Sequence, residues 1–390
     1  MVLLLIIILL AVLAGWVSVA AGWRFAAQRF GGAILVVILV TFATSLLLRQ
    51  VPGEPCEIAL GTAATEEAVA ECVAEQGLDD PVVVQYASWA KRIIVDQDLG
   101  FAFYKNKEPL TTTITQRLPR TAWLFLYSQL LALLLAVPLG IWSAYQAGRR
   151  PRPIPAWLLP VILALMLGIG ITQGWATMSL LAVALAVPTF VFHLFRGGPS
   201  GDSTVNFTAF VLLSIPVFVI GEALRYEFAV KRDYYQLRGY KPWSDGVGAH
   251  LGSIWLPTVV LGLAATPVYL RLLRADMMQN LQQDFVAVAK AKGMSNTHIL
   301  LRHVLRPSTV TLMTVLGLNI AQLVNGAIVV EFIFDFDGMG GYLLEAVYRQ
   351  EFFAVQTLVA LVAVIFVLTN MVIDVLYTMV DPRVRAAAAS

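Results

Sequence analysis

Residues able to do chemistry are few and far apart in this chain of 390 residues. His193, His250, His298 and His303 are scattered, and nothing near them has the spacing of a metal site, so no metal is expected. No Ser-Lys, Asp-Asp or paired-histidine constellation falls inside a hydrophobic run, which argues against an intramembrane enzyme. A nucleotide loop ending in Gly-Lys-Ser or Gly-Lys-Thr is also missing; Gly338 to Gly341 lacks the lysine. Cys56 and Cys72 stand in a stretch that mixes acids, aromatics and helical patterns. On the oxidising side of a membrane they fit a disulfide, worth roughly 3 kcal/mol by loop-closure arithmetic; the alternative is two free thiols.

What remains is a basic island, Asp284 to Pro307 (DFVAVAKAKGMSNTHILLRHVLRP). Phe285, Val288 and Ala289 fall at helical spacing, Gly293 offers a turn, and Ile299, Leu300, Val304 and Leu305 resume the period. The pattern predicts a short helix, a bend and a second short helix. Too short to cross a bilayer yet flanked by segments that could, the island belongs at the membrane surface. Its small residues Ala287, Ala289, Ala291 and Gly293 permit another protein to approach closely, and Lys290, Lys292, Arg302 and Arg306 supply a polar rim. The same cations would suit anionic lipid headgroups.

The elements that must position this island are membrane spans. Hydrophobic side chains make up 58% of the chain and charged ones 13%, against about 25% charged in soluble domains. Charge-free stretches cover residues 1–23, 30–48, 121–148, 153–195, 203–221, 251–270, 307–330 and 352–373. A span needs roughly 20 residues, so 153–195 holds two, broken at Gly170 to Gly174. Nine spans result. Runs of this length predict helices rather than a barrel, whose strands alternate over about 10 residues. Basic residues are denser on the side that carries the island, which places it in the cytoplasm and the amino terminus outside. Residues 1–23 lack a basic n-region and read as an extra hydrophobic helix, with a cleaved leader or an over-extended start as alternatives. Arg49 to Arg120 could form a small soluble fold, with helical patterns near Thr65 to Glu75 and Val83 to Ile94.

Several polar groups fall within or beside the spans, where each costs several kcal/mol unless paired or hydrated. Asn319, Gln322 and Asn325 recur every third residue, with Glu331 beyond them; they could face a translocation path or make interhelical hydrogen bonds. Glu222 and Arg225 suit a local ion pair, and Asp374 one with Arg383 or Arg385. Tyr226, Tyr234, Tyr235, Tyr240 and Trp243 suit an interfacial aromatic belt.

Four stretches resemble the membrane subunits of binding-protein-dependent ABC importers, specifically the first permease subunit of the dipeptide and oligopeptide group. Arg24 to Pro55 is similar to that subunit's opening helix and Pro-Gly-x-Pro turn, and Thr115 to Ala144 to its second helix. Leu256 to Pro307 resembles its fourth helix and coupling segment. Val329 to Arg385 resembles its closing region, with Glu331, Gly338-Met339-Gly340, Asp374 and Asp381-Pro382-Arg383. The coupling core here, Ala287, Ala289 and Gly293, departs from the general Glu-Ala-Ala form.

The resemblance implies an all-α, polytopic transmembrane helical bundle of the type I importer fold, with six core spans and about three extra. Its parts would be an extra amino-terminal helix (1–23), a first core span (24–49), an extracytoplasmic loop region (50–120), a second core span (121–148) and an inserted pair of spans (149–202). The remaining core (203–385) would carry the coupling segment 275–306. The implied function is inward transport of di- or oligopeptides across a bacterial cytoplasmic membrane, by alternating access of two bundles around a midplane site. Partners would be a second permease, two ABC ATPases holding ATP and Mg, an external substrate-binding protein and membrane lipid, with no nucleic acid. The chain itself would bind no cofactor and catalyse nothing. Asp284, Ala287, Ala289, Lys290, Lys292, Gly293, Ile299 and His303 would couple to the ATPase. Nickel chelates or oligosaccharides are alternative cargoes. A stand-alone secondary transporter would need buried mid-span carboxylates and inverted repeats, and neither is evident.

Overall fold

A computed structural model describes Gly15 and residues 23–50, 55–61, 64–77, 79–102, 108–147, 201–237 and 239–380. Apart from Gly15 and Trp23, the leading hydrophobic stretch lies outside the described residues, as do the expected pair within 153–195 with its break at Gly170 to Gly174, and Arg383 and Arg385. The chain divides into two compact units, one formed by residues 1–121 and 337–390 and the other by residues 122–336.

In the first unit α1 (Trp23–Leu48) precedes three short helices, α2 (Pro55–Leu60), α3 (Glu66–Gln76) and α4 (Val82–Ile94). Thr65 caps α3 by accepting from the Ala68 amide at 3.2 Å, and Gly77 ends it at φ 58°, where a side chain would strain the backbone. Cys56 and Cys72 are bonded to each other and fully buried, joining α2 to α3 beneath Leu60 and Val69. A two-residue ribbon, β1 (Phe101–Ala102) against β2 (Glu108–Pro109), leads into α5 (Leu110–Ala147). The unit closes with α12 (Met339–Tyr348) and α13 (Phe352–Val380), the latter packed along α1.

Helix α5 begins at Leu110, not at the end of the charged stretch near 121, because its first turns are buried rather than free in water. Leu110 and Ile114 are fully buried in a core shared with Tyr342, Ala346 and Leu358. The cations that obscured this helix are paired: Arg117 meets Asp337 at 2.8 Å, and Arg120 bonds the same carboxylate and the Asp337 carbonyl. Thr121 accepts from the Met339 amide at 2.8 Å. The turn Asp337–Gly338 is thereby fixed to α5 and starts α12.

The second unit is built on α8 (Val247–Asn280) and α11 (Leu305–Ile333), flanked by the inner part of α5, α6 (Gly201–Ser214) and α7 (Val217–Arg225). The span expected at 203–221 is broken: the segments on either side of Ile215 and Pro216 are turned by 90°, because proline cannot donate to the preceding turn. Among the described residues four helices are long and apolar enough to cross a membrane, or five with this bent pair. Small residues let these helices approach closely, as lipid-embedded packing requires. A Cβ on Gly262 would lie 2.9 Å from Leu131, and one on Gly140 3.1 Å from Leu273. Tyr269 donates to Gln129 at 2.7 Å, closing α8 on α5.

Gly262→Leu is expected to separate α8 from α5, at a cost of about 1–3 kcal/mol, the usual range for overpacking. The check is a lower thermal midpoint for the purified protein in detergent, with Gly248→Leu, which faces open space, as the unchanged control.

Candidate functional site

The basic island forms an elbow. Helix α9 (Asp284–Ala291) turns inward with Val286 and Ala289, 2% and 5% exposed, and outward with Phe285 and Val288, 42% and 55% exposed. Of the three residues at helical spacing, Phe285, Val288 and Ala289, only Ala289 faces inward. Two apolar stripes compete on so short a helix, and the one that fits the core of the unit wins. After Ala291 the chain turns at Gly293, with φ 76°, its amide donating to Lys290 and that of Met294 to Ala289. A Cβ there would meet no atom within 4 Å, so the requirement for glycine is conformational.

Ser295 restarts the helix by accepting from the His298 amide at 3.3 Å, and α10 (Asn296–His298) widens into a π-helical turn over Ile299–Val304. Ile299, Leu300 and Val304 are buried, as their spacing predicted. No second separate helix follows; the turn runs directly into α11, and Pro307 is accommodated two residues beyond its start. His298 and His303 place their rings 5.6 Å apart.

Four polar side chains anchor the elbow to the spans. The Asp276 carboxylate accepts from Asn280 Nδ2 at 2.9 Å and from Thr311 Oγ1 at 3.0 Å, while Asn280 also donates to Ser308 Oγ at 3.0 Å. Ser308 is fully buried and donates to the Val304 carbonyl. This brace ties the inner end of α8 to the start of α11, on either side of the elbow. Sequence reading did not single it out, because i, i+4 and i, i+3 polar spacing beside a helix end is common on solvated faces; only the fold brings residues 276 and 311 together. Beside the elbow lies an open cavity of about 260 Å³, lined by Ala144, Tyr145, Met278 and Leu281 on one side and Lys290, Asn296, Ile299 and Leu300 on the other.

The expected coupling residues therefore divide. Asp284, Ala287, Lys290, Lys292 and Gly293 are exposed, His303 is half-buried, and Ala289 and Ile299 face the interior of the unit. The expected path residues fare differently. Asn319 and Glu331 are buried, 8% and 1% exposed. Gln322 and Asn325 lie on the backbone of α11 and Asp374 on that of α13, with side chains outside the described set.

On the far side of the second unit, Glu222 and Arg225 pair at 2.9 Å. Tyr226, Tyr234 and Trp243 are exposed, but Tyr235 is buried and donates to the Ser253 carbonyl at 2.6 Å, which removes it from the expected belt. Buried His250 sits against Trp243, with ring centroids 4.3 Å apart, between the Tyr127 hydroxyl at Nε2 and the Lys241 carbonyl at Nδ1. It fastens the loop before α8 to the helices beneath. Among the described residues no group of three or more His, Cys, Asp or Glu could hold a metal ion.

Residues 136–386 match the family described as binding-protein-dependent transport system inner membrane component, and residues 23–125 match the amino-terminal region of the same membrane components. The chain belongs to this family. Similar proteins include a probable peptide ABC transporter permease of Sinorhizobium fredii, 28% identical over 92% of this chain and 98% of its own length. An oligopeptide transport system permease of Bacillus subtilis is 25% identical over 90% and 96%, and a glutathione transport system permease of Salmonella paratyphi A 26% identical over 93% and 99%. The chain is thus a multi-pass permease subunit of an ABC importer, a transport component and not a catalyst. Such a permease works with an ATPase and a substrate-binding protein.

Removing the Asp276 carboxylate from this permease leaves Thr311 without its acceptor on α8 and Asn280 with Ser308 alone. Asp276→Ala is expected to loosen the elbow by about 1–3 kcal/mol. Hydrogen exchange is the check: amides of 286–304 exchange roughly tenfold faster or more, those of α13 at an unchanged rate.

Proposed function

We propose that this permease moves peptides inward across a bacterial cytoplasmic membrane, in a complex with a second homologous permease, two ATPase subunits that hold ATP and Mg, and an external binding protein. The observation that carries the reading is the elbow. Phe285, Val288 and Leu301 stand 42%, 55% and 49% exposed on a rigidly braced surface whose rim carries Lys290 and Lys292. Exposed apolar knobs with a basic rim suit a groove on a partner protein. The peptide cargo rests on the relatives named for peptide, oligopeptide and glutathione transport.

In this reading Asp284, Ala287, Lys290, Lys292, Gly293 and His303 meet or border the ATPase, and Ala289 and Ile299 support them from within. Closure of the ATPases around ATP pushes the elbow, and the brace at Asp276 passes the push to α8 and α11 together. Two helices moved as one body can rock between access states without repacking the core between them.

The test is ATP hydrolysis by the reconstituted complex in response to peptide-loaded binding protein. Val288→Asp puts a charge where an apolar groove should close, and Gly293→Val forces a β-branched residue to φ 76°. Each is expected to lower the stimulated rate at least about tenfold, the equivalent of 1.4 kcal/mol, with membrane insertion intact. Stimulation at the native level in both variants contradicts coupling through the elbow; native coupling with a non-peptide substrate alone would contradict the cargo.

A further inference from the structure

Helix α4 has an apolar outer face that the fold leaves open. Val83, Val84 and Ile94, with Val95 just past its end, are 65%, 47%, 72% and 66% exposed, although Gln85 and Trp89 on the opposite side are buried. The helix carries no acidic residue, and Lys91 stands on the exposed side.

Two spans of the same unit fix its depth. On α1, the Thr41 hydroxyl lies 2.9 Å from the Tyr86 hydroxyl, and Phe42 packs edge-on against the Tyr86 ring. Arg49, just past the end of α1, reaches Gln85 through Nε and Nη2 at 3.2 and 3.0 Å. Thr41 and Arg49 are eight residues apart, about 12 Å along a helix, so α4 crosses α1 inside its outer end rather than above it. On α13, Trp89 donates to Thr357 Oγ1 at 3.2 Å, and Thr357 lies five residues inside that helix, about 7.5 Å. Both markers put α4 at the depth where amphipathic helices lie in an interface, roughly 5–10 Å into the headgroup and acyl boundary. The span α1 that carries it is itself charge-free and exposes apolar side chains, with Ile38, Leu39, Leu46 and Leu47 46%, 57%, 42% and 64% exposed.

We propose that α4 lies flat in the membrane, its open face of Val83, Val84, Ile94 and Val95 covered by phospholipid of the leaflet on the disulfide's side, with Lys91 reaching the headgroup phosphates. The occupant is lipid, because the spans on either side leave α4 no higher position and because the face has no acid to repel phosphate. This anchors the cystine-linked helices α2 and α3 to the bilayer surface. It rests on the geometry of the first unit alone and is independent of the elbow and of the cargo.

Nitroxide labels on Val83→Cys and Ile94→Cys, in the full chain reconstituted in phospholipid vesicles, read the occupant through collisions with oxygen and with a water-soluble nickel chelate. Leu39→Cys serves as the lipid reference and Glu66→Cys, an exposed position on α3, as the aqueous one. Both labels are expected to shift several-fold from the Glu66 ratio toward the Leu39 ratio. Either label matching Glu66 overturns the proposal, since the face then meets water. Exclusion of both paramagnets also overturns it, since the face is then covered by protein.

Discussion

The structure depends on one short brace at the inner end of two spans. Two side-chain hydrogen bonds of 3.0 Å, Asn280 to Ser308 and Thr311 to Asp276, join α8 to α11, and a third of 2.9 Å links Asn280 to Asp276 within α8. A lone pair of polar groups at a helix end would add little. Here one carboxylate accepts twice, and Ser308 is wholly buried, so breaking a single link leaves others without partners and costs more than that link is worth. The elbow between residues 280 and 308 is held at both ends by this brace and along its length by Val286, Ala289, Ile299, Leu300 and Val304, which are buried in the core of the unit.

The same economy governs a polar site in each unit, Asp337 in the first and His250 in the second. Asp337 takes up Arg117 and Arg120 and so turns a charged, superficially loop-like stretch into the first turns of a long helix. His250 is enclosed by Trp123, Tyr127, Tyr240 and Trp243 and holds the loop before α8 by its two ring nitrogens. Each device satisfies polar groups in surroundings with little water, where an unmet donor or acceptor is expensive.

Charge-free runs made the long helices legible, since a bilayer forces backbone hydrogen bonding inside a segment and expels charge from it. They could not show where a helix continues beyond the membrane. Leu110 to Arg120 reads as polar because its arginines are visible in the sequence and their partner, Asp337, is more than two hundred residues away. The break at Pro216 was hidden within an apolar run that looked long enough for one span. In the elbow, the turn at Gly293 and the burial of Ile299, Leu300 and Val304 were readable, whereas the choice between Val286 and Phe285 as the inward residue was not. Periodicity fixes the angle between residues and leaves the facing surface undecided. Asn319 and Glu331 show the reverse limit: their polarity marked them, but only packing reveals that they are enclosed within their own chain.

Coupling through the elbow is the central claim, and contact is its most direct measure. A photo-crosslinking residue placed at Val288 in the assembled importer should yield an adduct with an ATPase subunit, stronger in the nucleotide-bound state than in its absence. Adducts confined to lipid, or reaction of the same position with a membrane-impermeant reagent applied from outside the cell, would contradict it.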